Sequence, residues 1–523
     1  MPLRVHQLRL PGTPSEAEVL ARALQQARLQ KDDITGFAVV RRSVDRRHHR
    51  EVLIWTVDLM TVPAWRPPAA LPRGLSWVEE ERRELPRGDV PLEHPPVVIG
   101  SGPAGLFAAL ELAEAGYRPL LLERGDAMNL RAAAIQRLIH ESVLDPESNY
   151  LFGEGGAGTY SDGKLTSRSA DPRSTRVLEV FRKYSGLDAV SYDWRPHLGS
   201  NRVRAVVGRI RRRILECGGS IRYRCRVEDV LQQTGRLTAL ATSCGTVPAQ
   251  QAVLAVGHSA RDLMRRLARS GVAMEPKAFQ LGLRVEHPQS FVDRCQRRAR
   301  EHPPSDYRVA ARVSGRSVWS FCMCPGGEII PAISDPSGMN TNGMSWSWKD
   351  SGFANSGLVT TLEPFEFGSS DVFAGMALQE EFETRATRAV GRALMIPAQR
   401  LTDWLAGRPS ADLPACSART PIGSVDVREV LPNVVSRAIR EAVRHFDHQM
   451  PGFISHEALL VGPEMRSSSP IRCLRHTESL ESTTVAGLFP VGEGAGYAGG
   501  IVSAAIDGLR AAERIMAAHA PAR

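Results

Sequence analysis

Three glycines and one acidic residue between residues 97 and 125 have the types and spacing that bind a dinucleotide. Gly100, Gly102 and Gly105 follow the apolar run Val97–Ile99, and Glu123 comes later in the same stretch. Gly100 permits a tight turn, Gly102 lets a pyrophosphate approach the backbone, and Gly105 lets a helix pack closely on a strand. Glu123 can accept hydrogen bonds from a ribose 2′-hydroxyl and would repel a 2′-phosphate, which disfavours NADP at this site.

The elements that must position these residues are also visible in the sequence. After the glycines, apolar residues repeat at helical spacing, at Leu106, Ala109, Leu110 and Ala113. Gly116 is suited to end this helix, and the apolar run after Pro119 predicts a second strand. N–H groups at the helix start favour the anion of a bound nucleotide. We therefore predict a Rossmann-type α/β unit, with a purely structural glycine turn as the alternative.

A second glycine-rich turn lies near the far end of the chain, in "GLFPVGEGAGYAGGIVSAAIDGLRAAERIM". The pattern predicts a strand, a turn that contains Glu493, and a helix with one apolar stripe. This stretch resembles the C-terminal flavin motif of FAD-dependent oxidoreductases of the glutathione reductase-like class. The resemblance implies that Glu493, where an Asp is more usual, binds the ribityl or pyrophosphate side of FAD. It also implies that the helix start at Gly500 and Ile501 points at the flavin N1 and C2 carbonyl, where negative charge of a reduced flavin is stabilised.

Three further segments complete the resemblance. "QAVLAVGHSARD" is similar to the strand that closes the FAD site at Gly257, and "IRYRCRVEDVL" predicts a strand whose Val227 either contacts adenine or is an ordinary core valine. "LFGEGGAGTYSDGKL" predicts a loop of backbone donors that runs into a helix near Lys164, rather than a flexible linker. The residues expected to bind FAD are Gly100, Ser101, Gly102, Pro103, Ala104, Gly105, Glu123, Arg124, Gly158, Thr159, Lys164, Val227, Gly257, Glu493, Gly500 and Ile501.

Nearly the whole chain resembles one bacterial family of FAD-dependent dehydrogenase-like proteins, often described as NAD(FAD)-utilising dehydrogenases. The motifs that carry this resemblance are "GEGGAGTYSDGKL", "AVGHSARD", "FCMCPGGEIIPA", "NTNGMSWSWKDSGFANS" and "FPVGEGAGYAGGIVSAAIDG", in that order. The resemblance implies one bound FAD, a two-lobed flavoprotein fold and a small N-terminal domain. It does not indicate a reaction, because the substrates of the family are mostly undefined.

The expected architecture is an α/β chain with four segments. Residues 1–90 predict a small ferredoxin-like α+β domain with a Pro-rich linker, in which Ser15 and Glu18 form a capping box before a helix. Residues 91–275 and 481–523 predict a discontinuous, Rossmann-type FAD-binding domain. Residues 276–480 predict a mixed α+β substrate domain that covers the flavin.

Composition narrows the class of protein. The chain has 523 residues with 42% hydrophobic and 24% charged residues, so it can bury a large core. No apolar run approaches the ~20 residues of a membrane span, and the first residues lack the apolar core of a signal peptide. These features predict a cytoplasmic protein. The net charge of +9 comes from arginine clusters, which are typical of solvated faces and do not form a recognisable nucleic-acid module.

The cysteines predict no metal site and no familiar redox motif. The eight cysteines form no CxxC pair and have no zinc-ligand spacing. Cys322 and Cys324 are either a redox CxC pair or two small residues on a strand that face the same way. The glycine-rich loop, where disulfide enzymes of the glutathione reductase-like class carry their redox pair, contains no cysteine.

We expect hydride transfer between flavin N5 and a carbon of a small-molecule substrate, as a C–C or C–N dehydrogenation or the reverse reduction. Lys164 is a candidate for a group beside N5, Tyr160 for a proton donor, and Arg466 for a clamp on a substrate carboxylate. A surface lysine, an aromatic that fills the loop and a structural ion pair are the respective alternatives. His258 either shuttles protons or anchors backbone beside FAD.

Other aspects of function stay open at this level. Trp346 and Trp348 either line an aromatic pocket or pack a sheet. The sequence has one dinucleotide fingerprint, so NAD(P)H, if used, visits the flavin face transiently. A flavin-dependent monooxygenase and a non-catalytic flavin protein that contacts RNA are the alternative functions. The oligomeric state is not indicated.

Overall fold

The computed structural model describes residues 2–12, 14–45, 52–63, 65–66, 71–78, 87–166, 170–193, 196–296 and 303–522. The helices of these residues are α1 Glu16–Ala27, α2 Pro103–Glu114, α3 Met128–Glu141, α4 Arg173–Ser185, α5 Ala189–Tyr192, α6 Ser200–Glu216, α7 Arg261–Arg269, α8 Gln289–Cys295, α9 Ala374–Val390, α10 Leu401–Ala406, α11 Asn433–Gln449 and α12 Ile501–Ala518.

The strands are β1 Leu3–Pro11, β2 Ile34–Asp45, β3 Val52–Thr61, β4 Leu75–Trp77, β5 Val90–Pro91, β6 Val97–Ile99, β7 Leu120–Leu122, β8 Ser220–Arg222, β9 Val227–Gln233, β10 Arg236–Thr242, β11 Gly245–Pro248, β12 Ala252–Leu254, β13 Met274–Pro276, β14 Phe279–Pro288, β15 Ala310–Val313, β16 Arg316–Pro325, β17 Glu328–Pro331, β18 Thr341–Met344, β19 Phe353–Leu362, β20 Ile396–Arg400, β21 Ile422–Ser424, β22 Leu459–Glu464, β23 Ile471–Cys473, β24 Leu488–Pro490 and β25 His519–Ala520. Short 3₁₀ turns lie at Lys31–Asp33, Ala157–Tyr160 and Pro364–Glu366.

The chain separates into two compact units. The smaller contains residues 1–85 and 178–197, and the larger contains residues 86–177 and 198–523. The smaller unit has an antiparallel sheet in the order β2-β3-β1-β4, with α1 packed on it. Among the residues described between β3 and β4 there is no second helix, so the ferredoxin-like assignment stays a prediction.

The predicted capping box is present at the start of α1. The Ser15 hydroxyl accepts a hydrogen bond from the Glu18 N–H, and the Glu18 carboxylate accepts one from the Ser15 N–H at 2.7 Å. This reciprocal pairing satisfies two of the N–H groups that a helix start leaves without partners. The apolar face of α1 then buries Val19, Ala23 and Ala27 against the sheet.

The larger unit is built on a five-stranded parallel sheet in the order β24-β12-β6-β7-β8. Its three central strands are short apolar runs, buried at every residue except the partly buried Leu120, as expected for a parallel sheet with both faces covered. The predicted strand–turn–helix–strand unit is confirmed as β6, α2 and β7. The predicted Rossmann-type α/β fold is therefore present.

Glycine allows the two helices nearest the sheet centre to pack closely. A Cβ atom on Gly105 would lie 1.8 Å from the Gly100 carbonyl oxygen, so α2 can rest on the β6 turn only without a side chain there. A Cβ atom on Gly508 would lie 2.0 Å from the Ala104 carbonyl oxygen. The C-terminal helix α12 is thus fixed directly against α2, more than 350 residues earlier in the chain.

A mixed seven-stranded sheet occupies residues 279–464, in the order β15-β16-β19-β14-β22-β20-β21. Its neighbouring strands are antiparallel except β20 and β21, and α9 and α11 bury their apolar faces in the same core. The predicted mixed α+β layer is confirmed. The four segment boundaries drawn from the sequence stay a prediction.

Two local predictions are wrong. The run from Ile221 to Leu231 is not one strand, because β8 belongs to the parallel sheet whereas β9 pairs with β10 in a separate antiparallel sheet. Residue Arg224, with φ of 52°, makes the turn between them. Among the described residues 161–166 no helix forms, Gly163 has a φ of 66° that a helix does not allow, and α4 begins only at Arg173.

Candidate active site

One cavity of about 450 Å³ opens at the carboxyl ends of the parallel strands, where open α/β sheets bind ligands. Its wall combines the turn after β6, the ends of β7 and β12, the turn after β24, and the mixed sheet. All residues expected to bind FAD line this cavity except Gly105 and Thr159. Gly105 packs on the β6 turn, and the buried Thr159 supports the glycine-rich loop through the Glu154 carbonyl.

The turn after β6 offers space at the start of α2. Gly102 is the N-cap of α2 with φ of −70°, and a Cβ atom there would meet nothing within 4 Å. The first N–H groups of α2 therefore face an open part of the cavity. This cradle fits a pyrophosphate, which approaches a glycine backbone and is favoured by a helix N-terminus.

A second helix start opens into the same cavity. Gly500 is the N-cap of α12, and a Cβ atom there would meet only the Ser503 hydroxyl at 3.9 Å. Glu493 lies on the preceding turn, where burial raises the pKa of its carboxyl to about 8 although Lys277 lowers it. The two glycine-rich turns of the sequence thus line one cavity.

Glu123 connects the nucleotide turn with the glycine-rich loop. One carboxylate oxygen accepts hydrogen bonds from the Ser101 N–H at 2.9 Å and the Ser101 hydroxyl at 2.6 Å. The other accepts from the N–H groups of Gly125 at 2.9 Å and Gly153 at 3.1 Å. A ribose hydroxyl would share these oxygens with Ser101 or displace it. The ribose role of Glu123 stays a prediction.

The glycine-rich loop is held by Arg131, which sequence reasoning missed. This fully buried side chain on α3 donates hydrogen bonds of 2.7–3.2 Å to five carbonyl oxygens, those of Asn149, Tyr150, Gly153, Glu154 and Gly156. Burial lowers the pKa of Arg131 to about 10, so it remains charged at neutral pH. The available signal was its place on the apolar face of a helix, in line with Ala134, Ile135 and Leu138.

Lys164 joins the loop to the mixed sheet. Its ammonium lies 3.2 Å from an Asp162 carboxylate oxygen and donates to the Met323 carbonyl oxygen. Burial opposes the charge, but Asp162 and the nearby cysteines raise the pKa of Lys164 above its ordinary value. The lysine is therefore a fixed positive charge on the cavity wall, not a mobile surface side chain.

Arg466 also lines the cavity, but its guanidinium is engaged. Its Nε and Nη2 donate to the two oxygens of Glu383 at 2.8 and 2.7 Å, and Arg261 binds the same carboxylate. Burial would raise the pKa of Glu383, yet Arg466 and Arg261 lower it to about 2. This geometry favours the structural ion pair over a clamp on a substrate carboxylate, and the catalytic role of Arg466 stays a prediction.

Tyr160 and His258 take different positions. Tyr160 is buried behind the cavity wall, edge-on to Tyr150 and beneath the guanidinium of Arg131, and is not among the lining residues. His258 lines the cavity and is 2.9 Å from the Ser259 hydroxyl. Burial, together with the charge of Arg466, lowers the pKa of His258 to about 3, so the imidazole is neutral at physiological pH.

The mixed sheet contributes Phe321 and Cys322 of β16 to the cavity wall, and Arg308 and Asn342 line it from segments outside that sheet. Cys322 and Cys324 are not related by the simple two-residue alternation of a strand, because a bulge interrupts β16 between Phe321 and Cys324. Cys322 is partly exposed at the cavity and Cys324 is fully buried. The bulge therefore interrupts the regular alternation on which the expectation of two ordinary strand residues rested.

Trp346 and Trp348 lie after β18 rather than on it, with their rings stacked at 5.3 Å, and neither lines the cavity. The basic run in the N-terminal unit falls partly on residues 46–51, outside the described residues. Within the described residues, no helix has the length and apolar character needed to cross a membrane.

Two family models match the larger unit. The model of pyridine nucleotide-disulphide oxidoreductases matches residues 95–282. The model of the FAD-dependent protein, C-terminal domain-like family matches residues 278–467. The two matches adjoin and together cover the parallel sheet's first strands and most of the mixed sheet.

Individual proteins extend this likeness. An uncharacterized protein of Clostridium beijerinckii is 34% identical over 528 residues, with 99% of each chain covered. Thiamine thiazole synthase of Aeropyrum pernix is 27% identical over 212 residues, with 38% of this chain and 65% of that protein covered. Among solved structures, glycine oxidase from Bacillus cereus is 12% identical, covers 82% of this chain and 98% of its own, and has a TM-score of 0.36. A TM-score of this size does not bear on the reaction.

Proposed function

We propose that this chain, which belongs to the FAD-dependent oxidoreductase family, transfers a hydride between flavin N5 and a small-molecule substrate. The two family models that match it overlap at residues 278–282. The observation that supports this proposal is the single cavity lined by both nucleotide turns and by the mixed sheet. A cofactor held by the turns would meet a substrate held by the sheet in this one space.

When bound, FAD supplies two-electron redox chemistry, and the protein supplies binding, orientation and electrostatics. In this proposal the start of α2 at Gly102 holds the pyrophosphate, and the turn that carries Glu493 and Gly500 holds the flavin end. Two helix starts in one cavity favour a ligand that carries negative charge at two places. This distribution matches a pyrophosphate and a reduced flavin.

In this proposal the side chains around the cavity orient the reacting groups and stabilise their charge, and none of them is assigned a proton-transfer step. Lys164 provides a positive charge held by Asp162, which orients an electron-rich substrate atom and favours the reduced cofactor. The neutral His258 can donate or accept a hydrogen bond without adding charge. Phe321 supplies apolar surface that excludes water from the reacting carbon.

Anaerobic stopped-flow absorbance on the purified holoenzyme tests this function. The flavin absorbance is followed after mixing with NADH, NADPH and a panel of amino acids, hydroxy acids and unsaturated acids. Rapid bleaching by a metabolite, with a product altered by two hydrogens, supports hydride transfer. Product that contains oxygen from O₂ would contradict it in favour of a monooxygenase. Absence of bleaching by every donor, in protein with full flavin content, would also contradict it.

A further inference from the structure

A bulge in β16 brings two cysteines together at the cavity. The register between β16 and β19 shifts between Phe321 and Cys324, so one extra residue is accommodated there. Cys322 takes the left-handed conformation with φ of 45°, which is rare for a residue with a side chain. Such backbone is retained when the surroundings impose it, and it occurs frequently next to active sites.

The two thiols have unequal environments. The Cys324 thiol donates a hydrogen bond to the Cys322 carbonyl oxygen at 3.2 Å. Cys322 is partly exposed on the cavity wall, whereas Cys324 is fully buried behind it. Cys322 is therefore accessible to a ligand in the cavity, whereas Cys324, two residues further along β16, is shielded from it.

Charged groups surround this pair. Lys164 donates to the carbonyl oxygen of Met323, between the two cysteines, and Arg284 donates to the carbonyl oxygen of Cys322 at 3.3 Å. Asp162 and Glu464 are the acidic groups that face them, the first paired with Lys164 and the second with Arg284 at 2.9 Å.

The balance of these groups favours one thiolate. Hydrogen bonding with Cys324, reinforced by Lys164 and Arg284, lowers the pKa of Cys322 below its ordinary value against the effects of burial and Asp162. The same hydrogen bond and burial raise the pKa of Cys324. These opposite shifts favour the thiolate on Cys322 and the thiol on Cys324, and a thiolate beside a thiol is the arrangement from which a disulfide forms.

We propose that Cys322 and Cys324 are a redox-active dithiol that exchanges an electron pair with the FAD of this cavity. In the oxidising direction a bond forms between the two sulfurs, and the Cys324 S–H bond breaks. The two electrons and that proton pass to the bound FAD, which balances the step without another reactant. This inference goes beyond hydride transfer to a metabolite, and it rests on FAD occupying the cavity.

An anaerobic reductive titration measures the electron capacity of the pair. Air-oxidised holoenzyme is titrated with dithionite while the flavin absorbance is followed. We expect the wild type to take up two electron pairs per flavin, and Cys322→Ser and Cys324→Ser to take up one. Cys295→Ser removes a partly exposed cysteine elsewhere and is expected to keep two. Uptake of one pair by flavin-replete wild type would overturn the proposal.

Thiol mapping tests the bond without any substitution. Tryptic cleavage after Arg316 and Lys349 gives a peptide that contains Cys322 and Cys324 and no other cysteine. Alkylation should leave this peptide unmodified and lighter by two hydrogens in oxidised holoenzyme, and doubly modified after anaerobic reduction of the flavin. Double alkylation in both states, with flavin bound, would overturn the proposal. Neither readout uses a metabolite, so failure of the hydride-transfer proposal would be seen separately.

Discussion

At the scale of single residues, Glu383 is an acid that holds two arginines in the larger unit. Its carboxylate receives both Arg261 and Arg466, and all three side chains are buried. These ion pairs hold α9 against the segment after β22 that carries Arg466 and against the first residue of α7. Sequence reasoning identified Arg466 but not its partner, because the two residues are far apart in the chain and no local pattern links them.

We expect Glu383→Gln to lower the free energy of unfolding by about 3–5 kcal/mol, because it leaves two buried guanidinium groups without a countercharge. Urea unfolding followed by far-UV circular dichroism measures this loss. Glu381→Gln is the matched control, since Glu381 pairs only with the exposed Arg385 among the ion pairs of the described residues. The control should change stability by less than about 1 kcal/mol. Equal effects of both variants would contradict the prediction.

The same residue predicts a pH dependence. The pKa of Glu383 is about 2 in the folded protein and near its ordinary value of 4.5 when unfolded. Its contribution is fully present above pH 4.5 and is lost as the pH falls from 4.5 towards 2, since only the unfolded chain then binds the proton. The stability difference between wild type and Glu383→Gln should therefore shrink over that interval. A difference that is constant between pH 6 and pH 3, measured by the same urea transitions, would refute this assignment.

Gly102 allows cofactor binding to be separated from folding. Asp is a favoured N-cap and a Cβ atom there meets no protein atom, so Gly102→Asp should fold normally. Its carboxylate would occupy the proposed pyrophosphate position and raise the Kd for FAD at least about tenfold. Flavin content per protein and circular dichroism measure the two effects. Gly208→Asp, at an open position of α6, should keep the flavin. Full flavin content in Gly102→Asp would contradict the proposed cofactor position.

At the scale of elements, one helix side chain determines the shape of the glycine-rich loop. Arg131 supplies donors to five loop carbonyls, and Gly153 cannot carry a Cβ atom because it would lie 2.5 Å from the Arg131 side chain. Glu123 receives the Gly153 N–H from the other side. The hydrogen bonds from Arg131 and to Glu123 therefore hold the loop in one conformation, although its glycine-rich composition is typical of a flexible linker.

Arg131→Met keeps the length of the side chain but removes every donor. We expect it to lower the free energy of unfolding by more than about 3 kcal/mol and to release flavin, because several buried carbonyls lose their partners. Arg137→Met, on the exposed face of the same helix, should have little effect. Flavin absorbance and limited proteolysis around residues 149–156 measure the outcome. A variant that keeps flavin and resists cleavage like the wild type would show that the loop does not need this clamp.

The elements divide clearly into those that sequence could predict and those that it could not. The β6–α2–β7 unit, the capping box at Ser15 and helix α12 depend on signals within a few residues, and all were found. The break between β8 and β9, the bulge at Cys322 and the clamp by Arg131 depend on strands and loops distant in the chain. The periodicity of a sequence segment gives no information on contacts with residues distant in the chain.

At the scale of the larger unit, two distant segments have to meet to make the cavity. Strand β24 pairs with β12 at the edge of the parallel sheet, and α12 rests on α2 at Gly508. The resemblance of both glycine-rich turns to flavin motifs predicted that they share one site, and both do line one cavity. The sequence could not predict that α12 packs on α2 at Gly508, because this contact depends on the absence of a side chain at Gly508.

Gly508→Ala should therefore weaken the whole site. The added Cβ atom would meet the Ala104 carbonyl oxygen at 2.0 Å and push α12 away from α2. We expect a stability loss of about 1–3 kcal/mol together with reduced flavin content. Thermal unfolding and flavin absorbance measure both. Gly208→Ala adds the same methyl group at an open helical position and serves as the control. A variant as stable and as yellow as this control would contradict the close packing.

Strand β24 has a consequence for synthesis of the chain. A ribosome reaches Leu488 only after it has produced every other strand of the parallel sheet, so β12 is for that time an unpaired edge. The cofactor pocket lacks one side over the same period. Prematurely released products would be colourless and prone to aggregate or to be degraded, whereas acquisition of colour would report that translation had passed the last helix.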